Sequence, residues 1–209
     1  MSANVSDFAQ QTWLSILATP PAEWLAVALA FAYLVLAAHE NIWCWACAFV
    51  STALFIWLFH QGALISESLL NVFYLAMAVY GWRQWRKGGR GNTRLAISTW
   101  TATRHFKVIL LTALSVPVLG YVTGTYLGAA LPYVDAFTTC FAVVATYMVT
   151  RKILENWIYW FVIDSVSIWL YLQRGFNLTA VLFVLYLVLI VFGWRRWNQE
   201  LRSATPLTA

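Results

Sequence analysis

Charge is scarce in this 209-residue chain: Asp, Glu, Lys and Arg make up 10% of it, against 62% hydrophobic residues. That ratio leaves too little polar surface to cover a water-soluble domain, so an integral membrane protein is indicated. Histidine occurs only as His39, His60 and His105, all at the ends of apolar runs. Haem or metal ligation needs two facing each other at similar depth, so interfacial positions are expected instead. Cysteine is limited to Cys44, Cys47 and Cys140, all in apolar runs. The Cys44-Trp45-Ala46-Cys47 spacing lacks a thioredoxin-like strand and a second pair to complete a zinc site, which leaves small buried hydrophobes. No metal and no cofactor are expected. No Gly-rich phosphate loop with a Lys is present, which argues against a primary pump. Residues 1–7 have no basic run leading into an apolar core, so no removable signal peptide is expected.

What the chain does have is apolar length. Seven runs are long enough to cross about 30 Å of hydrocarbon: 23–38, 42–59, 64–82, 106–127, 133–149, 154–172 and 178–194. An amphipathic piece at 8–17, ahead of Thr19-Pro20-Pro21, reads as a membrane-surface segment. The polar stretch 86–105, with Gly88-Gly89-Arg90-Gly91-Asn92 at its heart, is the one credible linker. The organisation expected is a surface segment (1–21), a first three-helix unit (22–84), a loop (85–105), a linking helix (106–128), a second three-helix unit (129–198) and a tail (199–209).

The basic residues fall on one side if the spans alternate. Arg83, Arg86, Lys87, Arg90, Arg94, Arg104, Lys107, Arg151, Lys152, Arg195, Arg196 and Arg202 share it, and only Arg174 lies opposite. The positive-inside rule makes that side cytoplasmic, with the amino terminus outside and the carboxy terminus inside. The net charge of +5 then reflects orientation and anionic lipid rather than nucleic acid.

Two of the units look duplicated. Gly81-Trp82-Arg83-Gln84-Trp85 is echoed by Gly193-Trp194-Arg195-Arg196-Trp197, and Glu40-Asn41-Ile42-Trp43 by Glu155-Asn156-Trp157. The offset reads as 115 at the start of the unit and 112 at its end, which small loop changes would explain. With one span between them, both triplets enter the membrane in the same sense. The expected fold is therefore all-α, seven transmembrane helices in a 3+1+3 parallel-repeat bundle, with a substrate site at the repeat interface.

The candidate site centres on the sixth run. At about 100° per residue, Trp157, Trp160 and Asp164 share one helix face, and Ser167 and Tyr171 continue it. Asp164 lies about 15 Å into the bilayer at 1.5 Å per residue. A carboxylate there costs about 2.5–3.5 kcal/mol on insertion scales, so it requires a partner or a wet cavity. Aromatic walls beside an anion suit a flat, cationic solute. The third run adds Glu67, Asn71 and Tyr74 at i, i+4, i+7, and the fifth opens with Asp135, Thr138 and Thr139. Asn71 is either interhelical glue or a ligand contact, because an unpaired amide at that depth is costly.

These residues resemble the Pnu-type bacterial vitamin transporters, which include nicotinamide riboside and thiamine carriers. The resemblance rests on Arg151-Lys152, Glu155-Asn156-Trp157-x-x-Trp160-x-x-x-Asp164, Ser68-Leu69-Leu70-Asn71-Val72-Phe73-Tyr74 and Tyr80-Gly81-Trp82. It implies a bundle like that of the sugar-transporting SWEET proteins, in the bacterial inner membrane. It also implies facilitated diffusion (uniport) of an unphosphorylated vitamin, cytoplasmic trapping by phosphorylation, and often a homotrimer. Nicotinamide riboside carriers of the family typically have Asn where this chain has Asp164, and Gln where it has Asn71. These departures point the expectation towards thiamine, whose thiazolium is a permanent cation, with nicotinamide riboside as the alternative. Trp157 and Trp160 would stack on the substrate rings, at about 0.5–2 kcal/mol for a cation–π contact. A membrane assembly or redox subunit is the rival from another class.

Overall fold

In the computed structural model, the described residues are 20–61, 65–89, 91, 93–173 and 177–204. They form helices α1 (Pro21–Ala38), α2 (Cys44–Gln61), α3 (Ile65–Lys87), α4 (Ala102–Tyr126), α5 (Pro132–Thr150), α6 (Asn156–Gln173) and α7 (Asn177–Ala204). The surface segment expected at 8–17 lies outside the described residues, as does Arg174. Four helices (α1, α4, α5 and most of α7) are long and apolar enough to cross a membrane by composition alone. Of the rest, α3 and α6 carry Asn71, Asn156, Asp164 and Ser167, polar residues that line the interior.

Helix ends differ from the sequence expectation by a few residues, except at α7. That helix continues ten residues past Trp194, to Ala204, so the expected tail is in part helical. Pro20 and Pro21 open α1 and Pro132 opens α5, where a missing N–H costs nothing. Both helices also end alike. Asn41 N–H donates to Leu36 O and Glu40 N–H to Ala37 O; Ile153 N–H donates to Met148 O and Lys152 N–H to Val149 O. These are two Schellman closures, with Glu40 (φ 53°) and Lys152 (φ 50°) in the left-handed position usually given to glycine.

The neighbouring helix pairs are α1·α2, α2·α3, α5·α6, α6·α7, α4·α5, α1·α7 and α3·α5. Exchanging α1 with α5, α2 with α6 and α3 with α7 maps the six pairs that exclude α4 onto one another. Helix α4 packs mainly on α5, through Gly120 against Tyr133 and Gly124 against Pro132. Its other face exposes Phe106, Leu111, Leu114, Val118 and Tyr126, a surface that suits lipid rather than water.

Packing matches residue by residue at a constant offset of 112. Trp45 and Trp85 meet edge-on at 5.4 Å and 86°, and so do Trp157 and Trp197. Trp85 Nε1 donates to Val149 O, and Trp197 Nε1 donates to Ala37 O, both at 3.1 Å. The Trp45 indole lies against Gly81 and that of Trp157 against Gly193, so closely that any Cβ there would sit under 2.7 Å from the ring. The drift from 115 to 112 read from the sequence is therefore corrected. Glu40 corresponds to Lys152 rather than Glu155, and Trp45 to Trp157, because both Schellman turns fix the start of the next helix.

The stretch read as a linker is partly a strap. Ser98 pairs with the α5–α6 turn, donating to Lys152 O and accepting from Leu154 N, and Ile97 is buried beside it. Glu155 accepts from the Trp100 N–H at 3.3 Å.

Candidate functional site

A cavity of about 420 Å³ lies between the two helix triplets, within the usual range of roughly 300–1,000 Å³ for small-molecule sites. On α6 its lining runs from Asn156 to Tyr171, about 22 Å along the helix. Of the residues expected from the sequence, Trp157, Trp160, Asp164, Ser167, Asn71 and Tyr74 all line it. Asp135 does not line it and is half-buried in the first turn of α5. The side chain of Glu67 lies outside the described residues.

The helix spacing explains the convergence. Trp157, Trp160, Asp164 and Ser167 fall at i, i+3, i+7 and i+10, one stripe of α6, and that stripe faces inward between α5 and α7. Asp164 is 4% exposed. Among the described residues no Lys, Arg or His lies within ion-pair distance of it. A buried carboxylate without a cation beside it is costly, and here it borders a cavity rather than a neighbouring cationic side chain.

The two tryptophans are placed differently. Trp157 is 2% exposed and wedged between Gly193 and the edge of Trp197, at one end of the cavity. Trp160 is only partly buried, so its ring presents more free surface. Among the described residues, the indole N–H groups of Trp45 and Trp157 and the Oδ1 of Asn156 are buried without a hydrogen-bond partner. Each such group costs about 1–3 kcal/mol, and all three belong to residues lining the cavity.

Sequence reading missed part of the lining: Tyr33, Trp45, Ala48, Ser51, Thr52, Thr146 and Tyr186. Ser51 has a structural role, donating to Ala26 O at 2.7 Å and tying α2 to α1. The signal that could have found Trp45, Ala48 and Thr52 is Trp45-x-x-Ala48-x-x-x-Thr52, which aligns with Trp157-x-x-Trp160-x-x-x-Asp164 once the offset of 112 is fixed.

One end of the cavity is sealed. Trp45, Trp85, Trp157 and Trp197 form a single cluster with Ala37, Val149, Leu154 and Ile97. Beyond it Lys152 Nζ meets Glu40 Oε2 at 2.7 Å and sits 4.7 Å above the Trp85 ring. Arg151 donates to Gln84 Oε1 at 2.9 Å. The Arg151-Lys152-x-x-Glu155 part of the motif thus makes closing contacts at this basic end, while Asn156, Trp160 and Asp164 line the cavity.

The sequence model of the nicotinamide mononucleotide transporter family matches residues 20–199. The chain belongs to that family. Among its relatives, the riboflavin/roseoflavin transporter RibM of Streptomyces davaonensis is 25% identical over 180 residues, covering 83% of each chain. The nicotinamide riboside transporter PnuC of Escherichia coli K12 is 26% identical over 193 residues, covering 80% of this chain and 81% of its own. The crystal structure of the vitamin B3 transporter PnuC superposes with a TM-score of 0.74 at 19% identity, covering 96% of this chain and 91% of that one. The Pnu-type resemblance therefore holds: this is an all-helical, multi-pass membrane transporter, not an enzyme. Neither relative is named for thiamine, so the thiamine expectation loses its precedence to the alternative.

Proposed function

We propose that the protein carries nicotinamide riboside across the inner membrane through the cavity between its two helix triplets. The observation that carries this reading is Asp164, a buried carboxylate that borders a closed-ended cavity beside Trp160 with no cation against it among the described residues. A pyridinium ring supplies the missing positive charge and stacks on an indole. The E. coli relative named for nicotinamide riboside supports the same substrate class.

One observation favours a second reading. Asp164 stands where the riboside carriers of the resemblance have Asn, and thiamine, also a cation, fits a carboxylate equally well. Calorimetric titration of the purified protein with nicotinamide riboside, thiamine and riboflavin tests both. Micromolar binding of the riboside alone is the expected result. Binding of thiamine alone replaces it, and binding of riboflavin alone removes the role given to charge.

Transport proceeds by alternating access, the triplets rocking about the cavity. Support comes from the packing at an offset of 112 and from the tryptophan cluster that closes the basic end. The sealed end carries Arg83, Arg86, Arg151, Lys152, Arg195 and Arg196, and is taken as cytoplasmic by the positive-inside rule. A monovalent cation moving inward gains about 2.3 kcal/mol per 100 mV, so uniport alone concentrates the substrate.

A further inference from the structure

The cavity has two walls of matched geometry and unmatched chemistry. On α6 it is lined by Trp157, Trp160, Asp164 and Ser167; on α2 by Trp45, Ala48, Thr52 and Phe55. The second set lies 112 residues before the first at every position. The register does not depend on the cavity, because it is set by the paired Trp–Trp contacts, the crossed indole hydrogen bonds and the two Schellman turns. Where α6 presents an indole, α2 presents a methyl group, and where α6 presents a carboxylate, α2 presents a neutral hydroxyl.

We infer that Ala48 and Thr52 set substrate size and polarity: the volume left by Ala48 opposite Trp160 receives the part of the solute remote from its charged ring. Resting on the proposed carrier function, this inference makes the pocket one-handed. The ring stacks on Trp160 beside Asp164, and the sugar or second ring occupies the slot over Ala48 within reach of Thr52. Two indoles facing each other would leave room for a single flat ring only. With Ala48 the cavity admits a ring and its substituent together.

The test is a graded series, Ala48→Gly, Ala48→Val, Ala48→Leu and Ala48→Phe, titrated with nicotinamide riboside and thiamine. Variants with wild-type elution and melting are compared; should Ala48→Phe not fold, Val and Leu carry the comparison. Affinity is expected to fall with side-chain volume, by at least about tenfold at Leu, with Gly close to wild type. Phe49→Leu, one residue along on the exposed face of α2, serves as the neutral control. Thr52→Val, which removes the hydroxyl at nearly constant volume, is expected to weaken binding roughly threefold or more. Flat affinity across the folded Ala48 series overturns the inference. Asp164→Asn and Trp160→Leu run alongside: if they also leave binding unchanged, the pocket itself is misassigned. If they weaken it while the Ala48 series stays flat, only the size wall is wrong.

Discussion

Breaking the Glu40–Lys152 pair should open the sealed end of the cavity. The pair joins the carboxyl end of α1 to that of α5, one from each triplet, at 2.7 Å. Both residues hold a left-handed backbone that costs an L side chain about 1 kcal/mol and that glycine would adopt freely. Charged residues of opposite sign at both positions are what a latch needs and what a simple helix terminus does not. Removing one partner of a fully buried pair costs about 3–5 kcal/mol. The Glu40 side chain is 24% exposed against 8% for Lys152, so screening reduces this to about 2 kcal/mol. If the pair forms only in the closed state, Glu40→Gln or Lys152→Gln shifts the population towards the inward-open form by about thirtyfold. The assay places a single cysteine at Ala37, which lines the cavity beside the seal, in a background lacking the three native cysteines. Labelling by an impermeant maleimide is then followed from the cytoplasmic face of inverted vesicles. Each single variant should speed labelling at least tenfold, and the exchange Glu40→Lys with Lys152→Glu should return it to within about threefold of the parent. Unchanged labelling in the singles, or a double exchange that behaves like their sum, would refute the latch.

Three further outcomes are expected. Asp164→Asn should weaken binding of the cationic vitamin at least about tenfold by titration, since no other anion among the described lining residues replaces lost hydration; an unchanged Kd places the substrate elsewhere. Gly81→Ala and Gly193→Ala should each lower stability by about 1–3 kcal/mol, because the added Cβ meets the Trp45 or Trp157 ring at under 2.7 Å. Thermal melting in detergent checks this, and a wild-type melting temperature for either contradicts the close approach. Trp85→Phe and Trp197→Phe each lose one indole hydrogen bond to a carbonyl of the opposite triplet and should destabilise by similar amounts, about 1 kcal/mol, in the same melts. A large inequality between them would argue that the two seams are not equivalent.

Composition and periodicity alone determined that the chain is a helical membrane protein, that seven helices fill the described residues, and that Asp164 and Trp160 share a face. Those properties follow from hydrophobic length and the 3.6-residue repeat, which are local. The inward stripe of α6 was legible because a charge in lipid has so few places to go. Packing alone decided the rest. The repeat offset was misread at its start because Glu-Asn occurs twice by composition, while the true match, Glu40 with Lys152, changes the sign of the charge. The α2 wall was invisible because Ala48 and Thr52 look like ordinary membrane-helix residues, and only the cross-triplet tryptophan contacts make them the repeat equivalents of Trp160 and Asp164. The strap at Ser98 and the division of the motif between latch and pocket depend on residues more than fifty positions apart. Sequence pattern reports what a helix must hide from lipid; which hidden surfaces face each other is set by side-chain fit between distant helices, which no local period encodes.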